Sequence, residues 1–123
     1  MTDKLVLTPG PDHPITITPA DTTVTVHFGD RLIASTDRAL VLQEASYPPV
    51  YYLPLDAVEA DVLEATTHET YCPYKGDASY YSLHNGGALA ENAVWAYVAP
   101  YDAVSPIAGH VAFYPDRVTI SAA

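Results

Sequence analysis

Residues 23–34 read TVTVHFGDRLIA, and apolar and polar side chains alternate over residues 23–28, before Gly29-Asp30. A period of two places the apolar side chains on one face of a β-strand. Glycine followed by aspartate after such a run is a turn signal. The stretch therefore predicts a β-hairpin with strands over Thr23 to Phe28 and Arg31 to Ala34.

The rest of the chain has the composition of a mainly β protein. Eleven prolines separate segments rich in Val, Ile, Thr and Tyr, as expected for short strands joined by turns. Asn85-Gly86 marks a second hairpin, and Pro115-Asp116 marks a turn between the last two strands. Further strands are predicted over residues 15–18, 38–45, 50–53, 78–83, 92–99, 108–114 and 117–121. A count of about eight to ten short strands favours a barrel or a sandwich.

One short helix is expected between the strands. Asp56 and Glu59 have the spacing of a capping box, in which each side chain satisfies a free backbone amide at the start of a helix. The apolar side chains that follow them fall on one helical stripe. We therefore predict a single helix from about Ala57 to Glu64.

Length and charge restrict the class of protein. A chain of 123 residues has the size of one domain, so we predict a single domain over residues 1–123. Fifteen acidic against five basic side chains give a net charge of −10. This charge repels phosphate backbones and anionic lipids, so neither nucleic-acid binding nor membrane contact is expected.

Several absent patterns narrow the choice further. The longest apolar runs are much shorter than the about 20 residues that a membrane span needs, and the chain opens without a signal-peptide core. A lone cysteine, Cys72, agrees with a reducing compartment and excludes a multi-cysteine zinc site. The five histidines lack metal-ligand spacing. We therefore predict a cytoplasmic protein with no metal and no cofactor.

The run TYCPYKG, residues 70–76, contains the single cysteine and one of two lysines. Lys75 is the only Lys or Arg between Arg38 and Arg117. A nearby ammonium lowers the pKa of a thiol and makes it nucleophilic, so Cys72 is a candidate nucleophile. The alternative is that Cys72 is a buried small hydrophobic residue, as most free cysteines are.

Lys75 has a candidate partner in Glu44. Gly76 permits a turn that aims the lysine inward, and Glu44 shares the inward face of its predicted strand with two leucines. Desolvation would raise the pKa of Glu44 towards the range of a general base. Pairing with Lys75 would lower that pKa and make Glu44 a structural anchor. Lys75 itself is a candidate for anion binding, for this pairing, or for a surface pair with Asp77.

Tyrosines are concentrated around the same run. Seven of the ten tyrosines lie between Tyr47 and Tyr81. Aromatic side chains belong to the core more often than to a pocket wall, but their density around one charged motif favours a pocket. The aromatic residues predicted to bind a ligand are Tyr52, Tyr74, Tyr80, Trp95 and Tyr97.

The chain contains, in this order, the four blocks EASYPPVYY (residues 44–52), TYCPYKGDASYY (70–81), AVWAY (93–97) and IAGHVAFY (107–114). These blocks resemble, in the same order, those of a small bacterial and fungal domain-of-unknown-function family. The resemblance spans about residues 14–120, with Cys-Pro-Tyr-Lys-Gly as its signature. It implies a compact sheet structure similar to the Mss4-like, or β-tent, proteins, with one short helix. It implies no activity, since the family's nucleotidyltransferase-like label has no matching Gly-Ser and Asp-x-Asp arrangement here.

The leading hypothesis is a small-molecule-binding domain with an aromatic pocket. Lys75 and Glu44 would be its polar anchors, with Cys72 beside them. Anionic small molecules are among the candidate ligands. The first alternative is an enzyme in which Cys72 is the nucleophile, Lys75 lowers its pKa or binds an anionic group, and Glu44 or a histidine moves protons. The second is a structural or protein-interaction module in which the motif ties the sheet together.

Overall fold

The computed structural model describes residues 4–123 and is built mainly of strands, which confirms the predicted fold class. The ten strands are β1 (Ile15–Pro19), β2 (Val24–Phe28), β3 (Arg31–Thr36), β4 (Leu40–Glu44), β5 (Val50–Pro54), β6 (Leu63–Cys72), β7 (Gly76–Asn85), β8 (Ala88–Ala96), β9 (His110–Phe113) and β10 (Thr119–Ala122). Three 3-10 turns accompany them, at Leu55–Ala57, Ala60–Val62 and Asp102–Ile107. Over residues 4–123, no helix has the length and apolar character needed to cross a membrane.

The strands form two antiparallel sheets. The larger sheet has seven strands in the order β1-β4-β5-β9-β8-β7-β6, and the smaller has three in the order β10-β2-β3. Many neighbours in these sheets are distant in sequence, as in the pairs β1 with β4, β5 with β9 and β2 with β10. β9 and β10 are consecutive in the chain, but they belong to different sheets.

Both predicted hairpins are confirmed. β2 and β3 pair across Gly29, which has a φ of +60°. β7 and β8 pair from Asn85 opposite Ala88, and Gly86 in the turn has a φ of +62°. Positive φ angles are sterically cheap only for glycine, which is why these two turn signals are reliable.

The predicted helix over Ala57 to Glu64 is wrong. This segment forms the two 3-10 turns at Leu55–Ala57 and Ala60–Val62, and β6 begins at Leu63. The amide of Glu59, which a capping box would have used, donates instead to the carbonyl of Ile33 at 2.8 Å. A backbone bridge to β3 thus replaces the local hydrogen bonds that a continuous helix needs.

The two sides of the seven-stranded sheet carry different side chains. One side packs against the three-stranded sheet, and we call it the aliphatic face; its large buried residues include Leu53, Leu83 and Val94, which meet Val24 and Val26 of the small sheet. Full burial of such a side chain contributes about 1.5–3 kcal/mol. This face supplies the main hydrophobic core.

The opposite side of the same sheet we call the tyrosine face, because Tyr52, Tyr80 and Tyr97 are buried on it. Val104 and Ile107 of the last 3-10 turn pack on this side with exposures of 0%. Alternation along a strand assigns neighbours to opposite sides, so Tyr52 and Leu53 of β5 point to different cores. The candidate site lies on the tyrosine face.

Candidate functional site

Glu44 and Lys75 form an ion pair at one end of the tyrosine face. Lys75 Nζ donates to Glu44 Oε1 at 2.5 Å, and Lys75 as a whole is only 8% exposed. Glu44 is the last residue of β4, while Lys75 lies in the turn between β6 and β7. The sequence prediction that Glu44 is the partner of Lys75 therefore agrees with the geometry.

The backbone of the β6–β7 turn holds Lys75 in place. Gly76 has a φ of +109°, which a residue with a side chain adopts only with strain. The amide of Lys75 donates to the carbonyl of Cys72 at 3.2 Å, and the amide of Tyr101 donates to the carbonyl of Lys75 at 3.1 Å. Hydrogen bonds from the amide and to the carbonyl of Lys75 thus hold its backbone in place.

His13 is a second partner of Glu44 that the sequence analysis did not identify. Its Nε2 lies 2.8 Å from Glu44 Oε2, and its ring stacks on Tyr74 with centroids 4.1 Å apart and planes 8° apart. His13 precedes β1, whose first residue Ile15 is paired with Glu44. Only knowledge of the long-range pairing of β1 with β4 would have brought this histidine to the site.

The surroundings of Glu44 favour its charged form. Burial by itself raises the pKa of this carboxyl group, but the hydrogen bonds with Lys75 and His13 outweigh it and hold the pKa below its ordinary value of 4.5. Both carboxylate oxygens are engaged by these two residues. The sequence left open whether the pKa of Glu44 is raised, as for a general base, or lowered by pairing with Lys75. The lowered pKa is the outcome expected for a structural anchor.

A cavity of about 260 Å³ opens beside the ion pair. Its wall is mainly aromatic: Tyr47, Tyr52, Tyr80, Trp95, Tyr97 and Tyr114. Leu42, Pro48 and Val50 line the rest of it, together with Glu44 and Lys75. The ammonium of Lys75 lies 5.9 Å from the centroid of the Tyr97 ring, within the range of a cation–π contact.

The hydroxyl groups in this wall differ in their partners. Trp95 Nε1 donates to the Tyr52 hydroxyl at 3.2 Å, and the Tyr80 hydroxyl lies 2.8 Å from Thr70 Oγ1. Among residues 4–123, no side-chain hydrogen bond involves the Tyr97 hydroxyl. Burial raises the pKa of Tyr52 to about 12 and also raises that of Tyr97. Both groups are neutral hydrogen-bond donors at physiological pH.

The other two predicted site residues lie outside the cavity wall. Cys72 is partly buried and packs against the apolar residues of the tyrosine face. Tyr74 stacks on His13, whose ring nitrogen lies at the carboxylate of Glu44. Of the predicted residues, Glu44, Tyr52, Lys75, Tyr80, Trp95 and Tyr97 line the cavity.

Lys75 has hydrogen-bond donors that Glu44 does not engage. An ammonium has three N–H donors, and within the described part of the chain its one hydrogen-bond acceptor is Glu44. Because Lys75 lines the cavity, its remaining donors are free for water or for another acceptor.

The family of the chain follows from comparison with known proteins. The model of a family described as a domain of unknown function (DUF427) matches residues 16–123, a range that includes Glu44, Cys72 and Lys75. No curated protein matches the chain. The match covers most of the sequence and confirms the prediction of a domain-of-unknown-function family, and the chain belongs to the DUF427 family.

Proposed function

We propose that this protein binds a small organic molecule in the cavity of the tyrosine face, and that the ammonium of Lys75 donates a hydrogen bond to an oxygen of the ligand. The observation that carries the proposal is a lysine 8% exposed, with one protein acceptor in the described chain, on the wall of an aromatic cavity. Anionic oxygens are favoured because charge-assisted hydrogen bonds are about twice as strong as neutral ones.

The wall supports a small, partly flat ligand. Tyr97 and Trp95 of the wall offer large apolar contact area, and the centroid of the Tyr97 ring lies 5.9 Å from the ammonium of Lys75. Typical ligand cavities measure about 300–1,000 Å³, and this one, about 260 Å³, is slightly smaller. Glu44 serves as an anchor that orients Lys75, while His13 holds the second oxygen of Glu44.

The two lysines of the chain allow a matched test. Lys4 and Lys75 each pair with a carboxylate, Asp77 and Glu44 respectively, but only Lys75 lines the cavity. A thermal-shift screen of metabolites on the wild type is followed by titration of each hit against Lys75→Met and Lys4→Met. We expect hits whose binding is lost in Lys75→Met and kept in Lys4→Met. A screen without hits, or hits that bind both variants equally, would overturn the proposal.

The catalytic roles assigned to Cys72, Lys75 and Glu44 stay predictions. Cys72 packs against the apolar residues of the tyrosine face and is not among the residues that line the cavity, so the proposal does not use it as a nucleophile. Alkylation with iodoacetamide as a function of pH tests that role: rapid reaction at a pH well below the ordinary thiol pKa of about 8.5 would favour the enzyme. A cytoplasmic location, the Mss4-like arrangement and the signature status of Cys-Pro-Tyr-Lys-Gly likewise stay predictions.

A further inference from the structure

A second space adjoins the cavity at a split in the seven-stranded sheet. It is a groove of about 440 Å³ between the start of β5 and the end of β9, with Tyr51 on one side and Phe113 and Pro115 on the other. Ile120 of the small sheet also lines it. The groove therefore reaches from the tyrosine face towards the junction of the two sheets.

The pairing of β5 with β9 covers only part of the two strands. It ends at Leu53 opposite Val111, although β9 continues to pair with β8 as far as Phe113. Pro48 and Pro49 precede β5 and Pro115 follows β9, and proline has no N–H with which to extend a ladder. The groove lies beside the unpaired part of β5 and β9.

The groove and the cavity share a wall. Tyr47, Pro48, Val50 and Trp95 line both spaces. None of the nine residues that line the groove is charged, although the protein has a net charge of −10. The groove is uncharged and continues from the cavity that contains the ammonium of Lys75. The two spaces together suit a molecule with an acidic end and a hydrocarbon end.

We propose that the ligand is a small carboxylic acid with a hydrocarbon chain or ring. Lys75 binds an oxygen of its carboxyl group, and the groove holds its apolar arm. This inference rests on the proposed function of the cavity. Pro48 and Trp95, which belong to both walls, lie where the acidic head joins the apolar arm.

Trp95 provides the measurement, because it is the single tryptophan of the chain and lines both spaces. The probes are straight-chain carboxylates from acetate to decanoate, titrated below the concentrations at which they form micelles, with the emission of Trp95 as the signal. Each methylene that leaves water contributes about 0.8 kcal/mol, which corresponds to about fourfold in Kd. We expect Kd to fall about fourfold per methylene until the groove is filled.

Two exposed prolines give the test variant and its control. Pro115→Glu puts a carboxylate at the groove, and we expect it to weaken octanoate about tenfold, because the apolar arm would meet a charge, while butyrate changes less than about twofold. Pro106→Glu, at an exposed position that lines neither space, should change neither acid.

The outcomes separate this inference from the proposed function. Lys75-dependent binding of short acids without any gain along the series overturns the inference and leaves the proposed function standing. Failure of every acid to bind also overturns the inference, and the metabolite screen then decides the proposed function independently. Equal loss of octanoate in Pro115→Glu and Pro106→Glu would equally contradict a role for the groove.

Discussion

The aliphatic and tyrosine faces of the seven-stranded sheet are built from alternate residues of the same strands. On β5, Leu53 belongs to the aliphatic face and Tyr52 to the tyrosine face; on β8, Val94 and Trp95 divide in the same way. The aliphatic face is closed by a second sheet and contains no charged side chain among its buried members. The tyrosine face holds an ion pair and carries a cavity open to solvent.

The difference separates the main hydrophobic core from the candidate site. Side chains of the aliphatic face can be packed for burial alone, because the candidate site lies on the other side of the backbone. A slip of one residue in strand pairing would exchange the two sets and place tyrosines in the main core. Substitutions on the two faces should therefore have effects of different kinds.

The largest effect is expected on the aliphatic face. Leu53 is fully buried, whereas Leu55, two residues later, is 40% exposed. Leu53→Ala should lower the free energy of unfolding by about 3 kcal/mol because it leaves a cavity in the core. Leu55→Ala should change it by less than about 0.5 kcal/mol. Urea unfolding measures both, and similar values for the two variants would contradict the assignment of this face as the main core.

The next effect concerns the ion pair of the tyrosine face. Glu44→Gln leaves the ammonium of Lys75 without its counter-charge and should cost about 2 kcal/mol, less than for a fully buried pair because the cavity admits solvent. Glu64, which lies 2.8 Å from His84 on the surface, is the matched control. Glu64→Gln should cost less than about 0.5 kcal/mol.

The dependence of this effect on pH has a definite sign. The pKa of folded Glu44 lies below its ordinary value of 4.5, so the folded state binds its proton more weakly than the unfolded state does. The stabilisation is therefore complete above the unfolded-state pKa and is lost as the pH falls through the lowered folded-state pKa. The difference between the wild type and Glu44→Gln should be constant near neutral pH and shrink in acid. A difference that grows in acid would show that the pair is not formed.

The smallest effect distinguishes two hydroxyl groups of the cavity wall. Tyr52→Phe removes the acceptor of the Trp95 indole N–H and should cost about 1 kcal/mol. Tyr97→Phe removes a hydroxyl that has no side-chain hydrogen bond in the described part of the chain and should change stability by less than about 0.5 kcal/mol. Thermal unfolding with ligand absent compares them. The reverse order would mean that Tyr97, and not Tyr52, is held by the protein.

Local signals predicted much of the fold, whereas contacts between distant strands were beyond them. The turns at Gly29-Asp30 and Asn85-Gly86 follow from conformational preferences of single residues, and both hairpins form. The helix over Ala57 to Glu64 does not form, because the amide of Glu59 bonds to β3. That contact depends on a strand more than twenty residues away, which a capping pattern does not report.

The site shows the same division. The inward direction of Glu44 follows from alternation along β4, and the scarcity of cations pointed to Lys75 as its partner. His13 was missed because its contact depends on the pairing of β1 with β4. Tyr74 was expected in the cavity wall, yet it stacks on His13 instead. Periodicity assigns a side chain to a face of the sheet but not to a neighbour from another element.

The isolation of Lys75 in the sequence has a consequence for proteolysis. Trypsin cleaves after lysine and arginine, and between Arg38 and Arg117 the chain offers it only the Lys75–Gly76 bond. This bond lies in a turn held by backbone hydrogen bonds on both sides of Lys75, so cleavage requires the turn to open. Mass spectrometry can follow the rate at which trypsin cuts the Lys75–Gly76 bond. This rate therefore reports how often the turn that carries Lys75, and with it the wall of the cavity, opens.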